Sequence, residues 1–380
     1  MRLLAPRDAP PAPVAADVGA HFSQDEIERG ARFARPQLML GLARTAVELG
    51  ALAVLARRPP RWLRRRSSHP VASGVITGAG LTVALSLPPL PLAAISRRRA
   101  LAVGLATQSW RGWAVDLIKS TAIEAALASG AAGAVTAATR RYPRWWWALG
   151  AVGSVAVGSA FAALAPVVLD PVFNDYEPLP EGQLRSDVLA LARAAGVRVG
   201  EVYSVDASRR TTAANAYVTG LGPTKRVVLF DTLIERYDRD QVRVVVAHEL
   251  AHVRHRDVAR GLAYGAFVAA PSAFAVQRLS WALSSDRGTP AALPALALAA
   301  TLVAAPVGLI GNRLSRAVER RADAYSLQLT GSSEAFVSFE RQIALQNVVD
   351  LDPPRWVSAV LATHPPTAER IALALAYARG

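Results

Sequence analysis

The chain has no cysteine among its 380 residues. This excludes disulfide staples and thiolate metal sites, so any metal must be held by His, Asp or Glu. Histidine is scarce too, six in all, so two at ligand spacing carry weight. Lysine is nearly missing: apart from Lys119 and Lys225, every one of the 43 basic residues is arginine. No nucleic-acid fold signature accompanies this basic balance, and no nucleic-acid partner is expected. No short apolar segment with a small-residue cleavage site opens the chain, so a cleaved signal peptide is not expected. There is no internal repeat.

Apolar residues are abundant, at 52% of the chain with a mean hydropathy of +0.23. They gather in runs at Leu38–Ala56, Val71–Leu87, Ile118–Ala138, Trp145–Leu169, Leu262–Leu279 and Ala291–Ile310. Most approach the ~20 residues of a spanning helix, and we read six spans. The net charge of +14 comes from arginines beside the spans, in RRPPRWLRRR (57–66), SRRR (96–99) and RRYPR (140–144). Such clusters flank membranes and contact anionic lipid. Trp145, Trp146 and Trp147 fit an interfacial aromatic belt. Within the spans, Arg44 and Glu48 stand at pairing distance on a helix. Glu124 lies deeper, and Asp116 and Lys119 are expected at an interface.

His248-Glu249-Leu250-Ala251-His252 is an HExxH match. Residues at i and i+4 share a helix face, so both imidazoles can converge on one ion while Glu249 reaches a water. VRVVVA before it supplies an apolar face, and Asp238 with Gln241 forms a capping-box pattern. Catalytic zinc usually takes three protein ligands. His255 is too far along the helix from His248, about 10.5 Å at ~1.5 Å per residue. Glu319 and Asp323, in the ExxAD pattern of ERRAD, also share a helix face. One can bind metal and the other can fix a ligating imidazole. The chemistry this allows is peptide hydrolysis, with one zinc ion per chain and Glu249 as general base. His364 is either an oxyanion donor or a helix-capping residue.

Two crossings separate the HExxH helix from Glu319, so both fall at one membrane face. The expected organisation is a polar arm over 1–35 with a short helix at Gln24–Ala34, and four spans over 36–170. A soluble peptidase part over 171–258, a transmembrane hairpin over 259–311 and a second peptidase part over 312–380 follow. Within 171–258 the pattern predicts a helix at Leu184–Ala195 closed by Gly196. It also predicts strands at Val199–Val205, Ala213–Thr219 and Arg226–Phe230, with a Gly222-Pro223 turn.

Asn174 within PVFNDYEPLP, NAYVTGLGPTKRVVLFDTL, HELAHVRHRD, ERRADAYS and HPPTAERI occur in an order that resembles the integral-membrane CAAX prenyl endopeptidases, type I. TQSWRGWAVDLIKS and FSQDEIERGARFARP are similar to the family's N-terminal membrane region. The resemblance implies a mainly α, polytopic helical membrane protein whose spans enclose a chamber. A gluzincin-like zinc peptidase part with a small β-sheet would accompany it. It implies zinc on His248, His252 and Glu319, Glu249 as base and Asp323 behind a ligand. Asn215, Ala216 and Tyr217 would pair with extended substrate, while His364 and Arg370 would match the C-terminal site motif. Ala213-Ala214 stands where the family commonly has His-Ser. The implied partners are a peptide or protein substrate, prenylated in the family, and membrane lipid. The Arg-rich, Lys-poor usage points to a bacterial membrane, and the resemblance implies the site at its cytoplasmic face. The six arginines at 57–66 favour the opposite orientation by the positive-inside rule. The competing readings are a heat-shock-type quality-control metallopeptidase, a non-catalytic zinc and peptide binder, and a transporter.

Overall fold

The computed structural model describes residues 17–64, 68–220 and 225–379. The Pro/Ala-rich start, Arg65, Arg66 and the Gly222-Pro223 turn lie outside them. Helix α1 (Gln24–Arg57) opens on a capping box. Ser23 accepts from the Glu26 backbone N–H, and the Glu26 carboxylate accepts from that of Ser23. The sequence predicts a short helix and a separate span here; the two are one helix, continuous through Pro36. Proline has no N–H for the carbonyl of Arg32, one turn back. The Arg99 guanidinium from α3 (Leu90–Ala102) donates to that carbonyl instead, at 2.7 Å.

Helix α2 (Pro70–Ser86) meets α3 at a 50° bend. It lies against α4 (Trp110–Arg141) through Gly74 and Gly78. A Cβ on Gly78 would stand 2.6 Å from the Ala128 carbonyl oxygen, so only glycine permits this approach. Helix α5 (Trp146–Val168) and the one-turn α6 (Asp170–Phe173) lead into the soluble part. Among the described residues, four helices are long and apolar enough to cross a membrane, or five if the bent α2–α3 pair is one span. The remaining expected span forms α10 (Asp257–Leu283), 27 residues long, whose Tyr264, Gln277 and Arg278 dilute its apolarity. Arg44 and Glu48 form no ion pair among the described residues.

The soluble part is built on a four-stranded sheet ordered β1 (Tyr176–Pro178), β2 (Glu201–Val205), β4 (Arg226–Phe230), β3 (Ala216–Thr219). The β2–β4 pair is parallel and the outer pairs are antiparallel. β1 is absent from the sequence reading, because three residues leave no alternation to see. Helix α7 (Gln183–Ala194) ends before Gly196, which takes a left-handed φ of 68°. The short α8 (Asp231–Arg236) follows β4. Helix α9 (Arg239–Arg254) carries HExxH and begins with the expected Asp238–Gln241 capping box. Its Val242, Val246 and Leu250 are buried with Val227 and Leu229 of the sheet and Leu327 of α11 (Leu293–Thr330). Each such side chain contributes roughly 1.5–3 kcal/mol through burial.

Helix α11 is 38 residues long and is at once the last span and the carrier of ERRAD. Helices α12 (Ser333–Gln346) and α13 (Thr367–Tyr377) complete the fold. Asp116 of α4 ties the membrane part to the soluble part. It accepts from Arg210 at 2.8 Å, and the same guanidinium donates to Asn174 at 3.0 Å. Lys119 donates to the carbonyl of Val172 at 3.0 Å. Both α4 charges therefore bridge the helical bundle and the soluble part.

Candidate active site

Three separate segments meet at one point. Helix α9 presents His248 and His252, whose Nε2 atoms stand 3.2 Å apart. Helix α11 brings Glu319, with one oxygen 3.2 Å from His248 Nε2 and the other 3.7 Å from His252 Nε2. The segment before α13 brings His364, with Nε2 3.3 Å from Glu319 Oε2. His364 is 61% exposed at its side chain, so it stands open to an incoming group. Glu249 offers a carboxylate oxygen within 4.8 Å of a nitrogen on each ring.

This donor set fits a zinc ion. Tetrahedral ligands at ~2.0–2.1 Å from a common centre lie about 3.4 Å from one another. The separations among His248, His252 and Glu319 match that spacing. Two carboxylates thus lie near the rings, but Glu319 has an oxygen close to each imidazole. Glu249 is on the histidines' own helix, where its neighbour position lets it lie beside the ligand cluster.

Each imidazole is backed by a carboxylate, and each carboxylate by an arginine. His248 Nδ1 donates to Asp323 at 2.9 Å, and Asp323 is gripped by Arg370. His252 Nδ1 donates to Asp257 at 3.1 Å, and Asp257 is gripped by Arg321. Arg370 also reaches Glu340, with Nη1 2.7 Å from Oε1 but off the hydrogen-bond axis. Asp323 and Glu340 are both buried; Arg370 and His248 hold the Asp323 charge there, while burial favours the neutral form of Glu340.

The electrostatics follow from burial and these pairs. Burial alone would depress the His248 imidazole, but the carboxylates of Asp323 and Glu319 outweigh it and push it up to about 10. Burial raises the Glu249 carboxyl above the usual carboxylate range, against the pull of both histidines. Burial also raises Glu340, against the pull of Arg370.

A cleft of about 560 Å³ opens over the site, lined by Asn215, Phe230, Val245, His248, Glu249 and His364 among others. β3 is an edge strand, paired on one side by β4. Asn215 and Ala216 lead from the cleft into it, and the Asn215 carbonyl accepts from Phe230 at 3.0 Å. The Tyr217 hydroxyl is engaged by that of Tyr176 at 2.8 Å, and Tyr217 does not line the cleft. Arg370 lines it, but its guanidinium is committed to Asp323 and Glu340.

His255 donates from Nδ1 to the Ala251 carbonyl and packs edge-on against Tyr325, apart from the ligand cluster. Sequence reasoning misses Asp257, Arg321 and Glu340. Asp257 follows His252 by five residues, but an unbroken helix would carry it away from the ring. Arg256 takes a left-handed φ of 57° and breaks the helix, which swings Asp257 back. For Glu340 the available signal is an acid beside Phe336 and Phe339 on the apolar face of α12.

Residues 178–378 match the model of peptidase family M48. An uncharacterized metalloprotease of Bacillus subtilis, YhfN, is 31% identical over 300 residues, covering 77% of this chain and 70% of that protein. A CAAX prenyl protease 1 homolog of rice is 28% identical over 229 residues, 57% of this chain. The alignment spans about half of the rice protein's length, 52%. The crystal structure of S. mikatae Ste24p superposes with a TM-score of 0.79 at 21% identity, covering 98% of this chain and 93% of that one. The mainly helical membrane architecture with its small sheet is therefore a shared fold.

Proposed function

The chain belongs to peptidase family M48 and is a membrane metalloendopeptidase; from that premise we propose how its residues divide the work. His248, His252 and Glu319 would hold one zinc ion, which when bound would supply Lewis acidity for a substrate carbonyl and for water, whose pKa zinc lowers toward about 7. The observation that carries the assignment is the 3.2 and 3.7 Å approach of Glu319 to the two histidine Nε2 atoms.

Glu249 takes the proton of the attacking water and hands it to the leaving amine. Its half-buried carboxylate lies beside the ligand nitrogens, where it can hold that proton between the two transfers. His364 donates from Nε2 to the oxyanion; its exposure and its place 3.3 Å from Glu319 support this over a capping role. Asp323 and Asp257 fix the two ligating rings in the tautomer with Nδ1 protonated. Arg370 acts on the site through Asp323. The edge of β3 at Asn215, Ala216 and Tyr217 receives substrate as an added strand.

We propose prenylated CAAX-type peptides as the substrate class, on the rice relative and the quoted motifs. Cleavage of a prenylated CAAX peptide, but not its unprenylated twin, by the detergent-purified protein is the expected result. Equal cleavage of both would move the protein to broad membrane quality control.

We place the site end at the cytoplasmic face on the resemblance. The arginines at 57–64, 140–144 and 287 gather at the other end and argue for the reverse. With no native cysteine, single-cysteine variants decide. An impermeant thiol reagent on intact cells should label Ser285→Cys and spare Glu181→Cys; the opposite pattern inverts the protein.

A further inference from the structure

The end of the bundle remote from the histidines holds a second concentration of charge. Asp116 marks the site end of α4. Thr139, on the same helix, lies roughly 35 Å farther at ~1.5 Å per residue. There the α4–α5 connection meets the α10–α11 connection around a cavity of about 520 Å³. Arg144 and Arg287 line it, Arg287 stacked on Trp281 with its guanidinium carbon 4.6 Å from the ring centre. Among the described residues neither guanidinium has a carboxylate partner; Asp286, beside them in sequence, faces Arg64 at 3.5 Å. Ser284 also lines the cavity. Its oxygen accepts from the Asp286 backbone N–H, which leaves its own O–H free to donate.

A second cavity, of about 530 Å³, shares Val135, Trp146 and Leu296 with the first and so continues from it. It runs between α5, α10 and α11, and its walls are almost wholly apolar. On the walls of this groove, an added Cβ at Gly158, Gly261 or Gly265 would meet nothing within 4 Å, so these positions leave the groove open.

We propose that the two cavities form one phospholipid site, with an anionic headgroup phosphate between Arg144 and Arg287 and an acyl chain in the groove. Guanidinium groups match phosphate oxygens in a bidentate fork. A peptide in the groove would leave backbone amides without partners at membrane depth, whereas a hydrocarbon chain asks for none. Trp146 and Trp281 sit where headgroup and hydrocarbon meet, as interfacial tryptophans do.

The test titrates delipidated, detergent-purified protein with palmitoyl-oleoyl phosphatidylglycerol, the matching phosphatidylcholine, and inorganic phosphate. Retained molecules are counted by native mass spectrometry. One saturable phosphatidylglycerol is expected, held in preference to phosphatidylcholine. Arg144→Gln and Arg287→Gln should each weaken it about fivefold, and roughly 25-fold together. Gly265→Leu should fill the groove and remove the lipid, while leucine keeps the helix. Metal content and peptide cleavage report that each variant is folded, since none touches the histidine site. Equal retention of the two lipids, or unchanged retention in the double variant, overturns the headgroup assignment. Inorganic phosphate held as tightly as phosphatidylglycerol, or Gly265→Leu binding lipid like wild type, overturns the groove assignment.

Discussion

Asp323 accepts the Nδ1–H of His248 at 2.9 Å, so the other ring nitrogen is turned toward Glu319 and His252. The carboxylate has no exposure to solvent, and its position is set by Arg370. Removing its charge while keeping its shape isolates that contribution. Asp323→Asn should lower zinc affinity roughly 10–100-fold, the usual range for a partner behind a metal ligand. Competition with a chromogenic chelator measures this. Wild-type affinity in the variant would remove Asp323 from the ligand-orienting role.

Asp257 stands to His252 as Asp323 stands to His248. Asp257→Asn should fall in the same ~10–100-fold range. It also leaves the buried Arg321 without its carboxylate, so a lower melting temperature should accompany the loss. An unchanged affinity would mean that the helix alone orients His252.

Arg370 is the shared counter-ion of two buried acids. Arg370→Gln should destabilise the protein by about 3–5 kcal/mol, the cost of stranding buried charge. Glu340→Gln should cost less, because burial already favours its neutral form. Thermal unfolding in detergent ranks the two. Equal melting temperatures for both variants would contradict this order.

The start of α9 is pinned by Arg239, whose hydrogen bond holds the Asp187 carboxyl below the usual carboxylate range. A depressed folded-state pKa gives stability that is present above the unfolded carboxylate value, and it is lost as pH falls through the folded one. Wild type should therefore exceed Asp187→Asn in melting temperature at neutral pH, and the two should converge in acid. A constant gap down to strong acid would assign the effect to packing.

How much of this was legible depends on how local each feature is. His248 with His252, and Glu319 with Asp323, are i, i+4 pairs on helices, so the spacing itself places them on one face. The β3 and β4 stretches are short runs rich in β-formers, bounded by Gly220 and Gly222-Pro223, and that is enough to find them. The His252–Asp257 pair depends on the left-handed turn at Arg256, which no glycine announces. The Arg370–Glu340 contact joins two helices and has no sequence spacing at all. The joined helix through Pro36 depends on a donor from Arg99, remote in the chain.

The central claim is that Glu249 is the base and not a ligand. The most direct measurement is zinc content together with peptide cleavage for Glu249→Gln. One zinc per chain with turnover lowered roughly 10²–10⁴-fold is the expected result. Zinc lost together with activity would make Glu249 a ligand, and turnover retained with zinc in place would contradict the account outright.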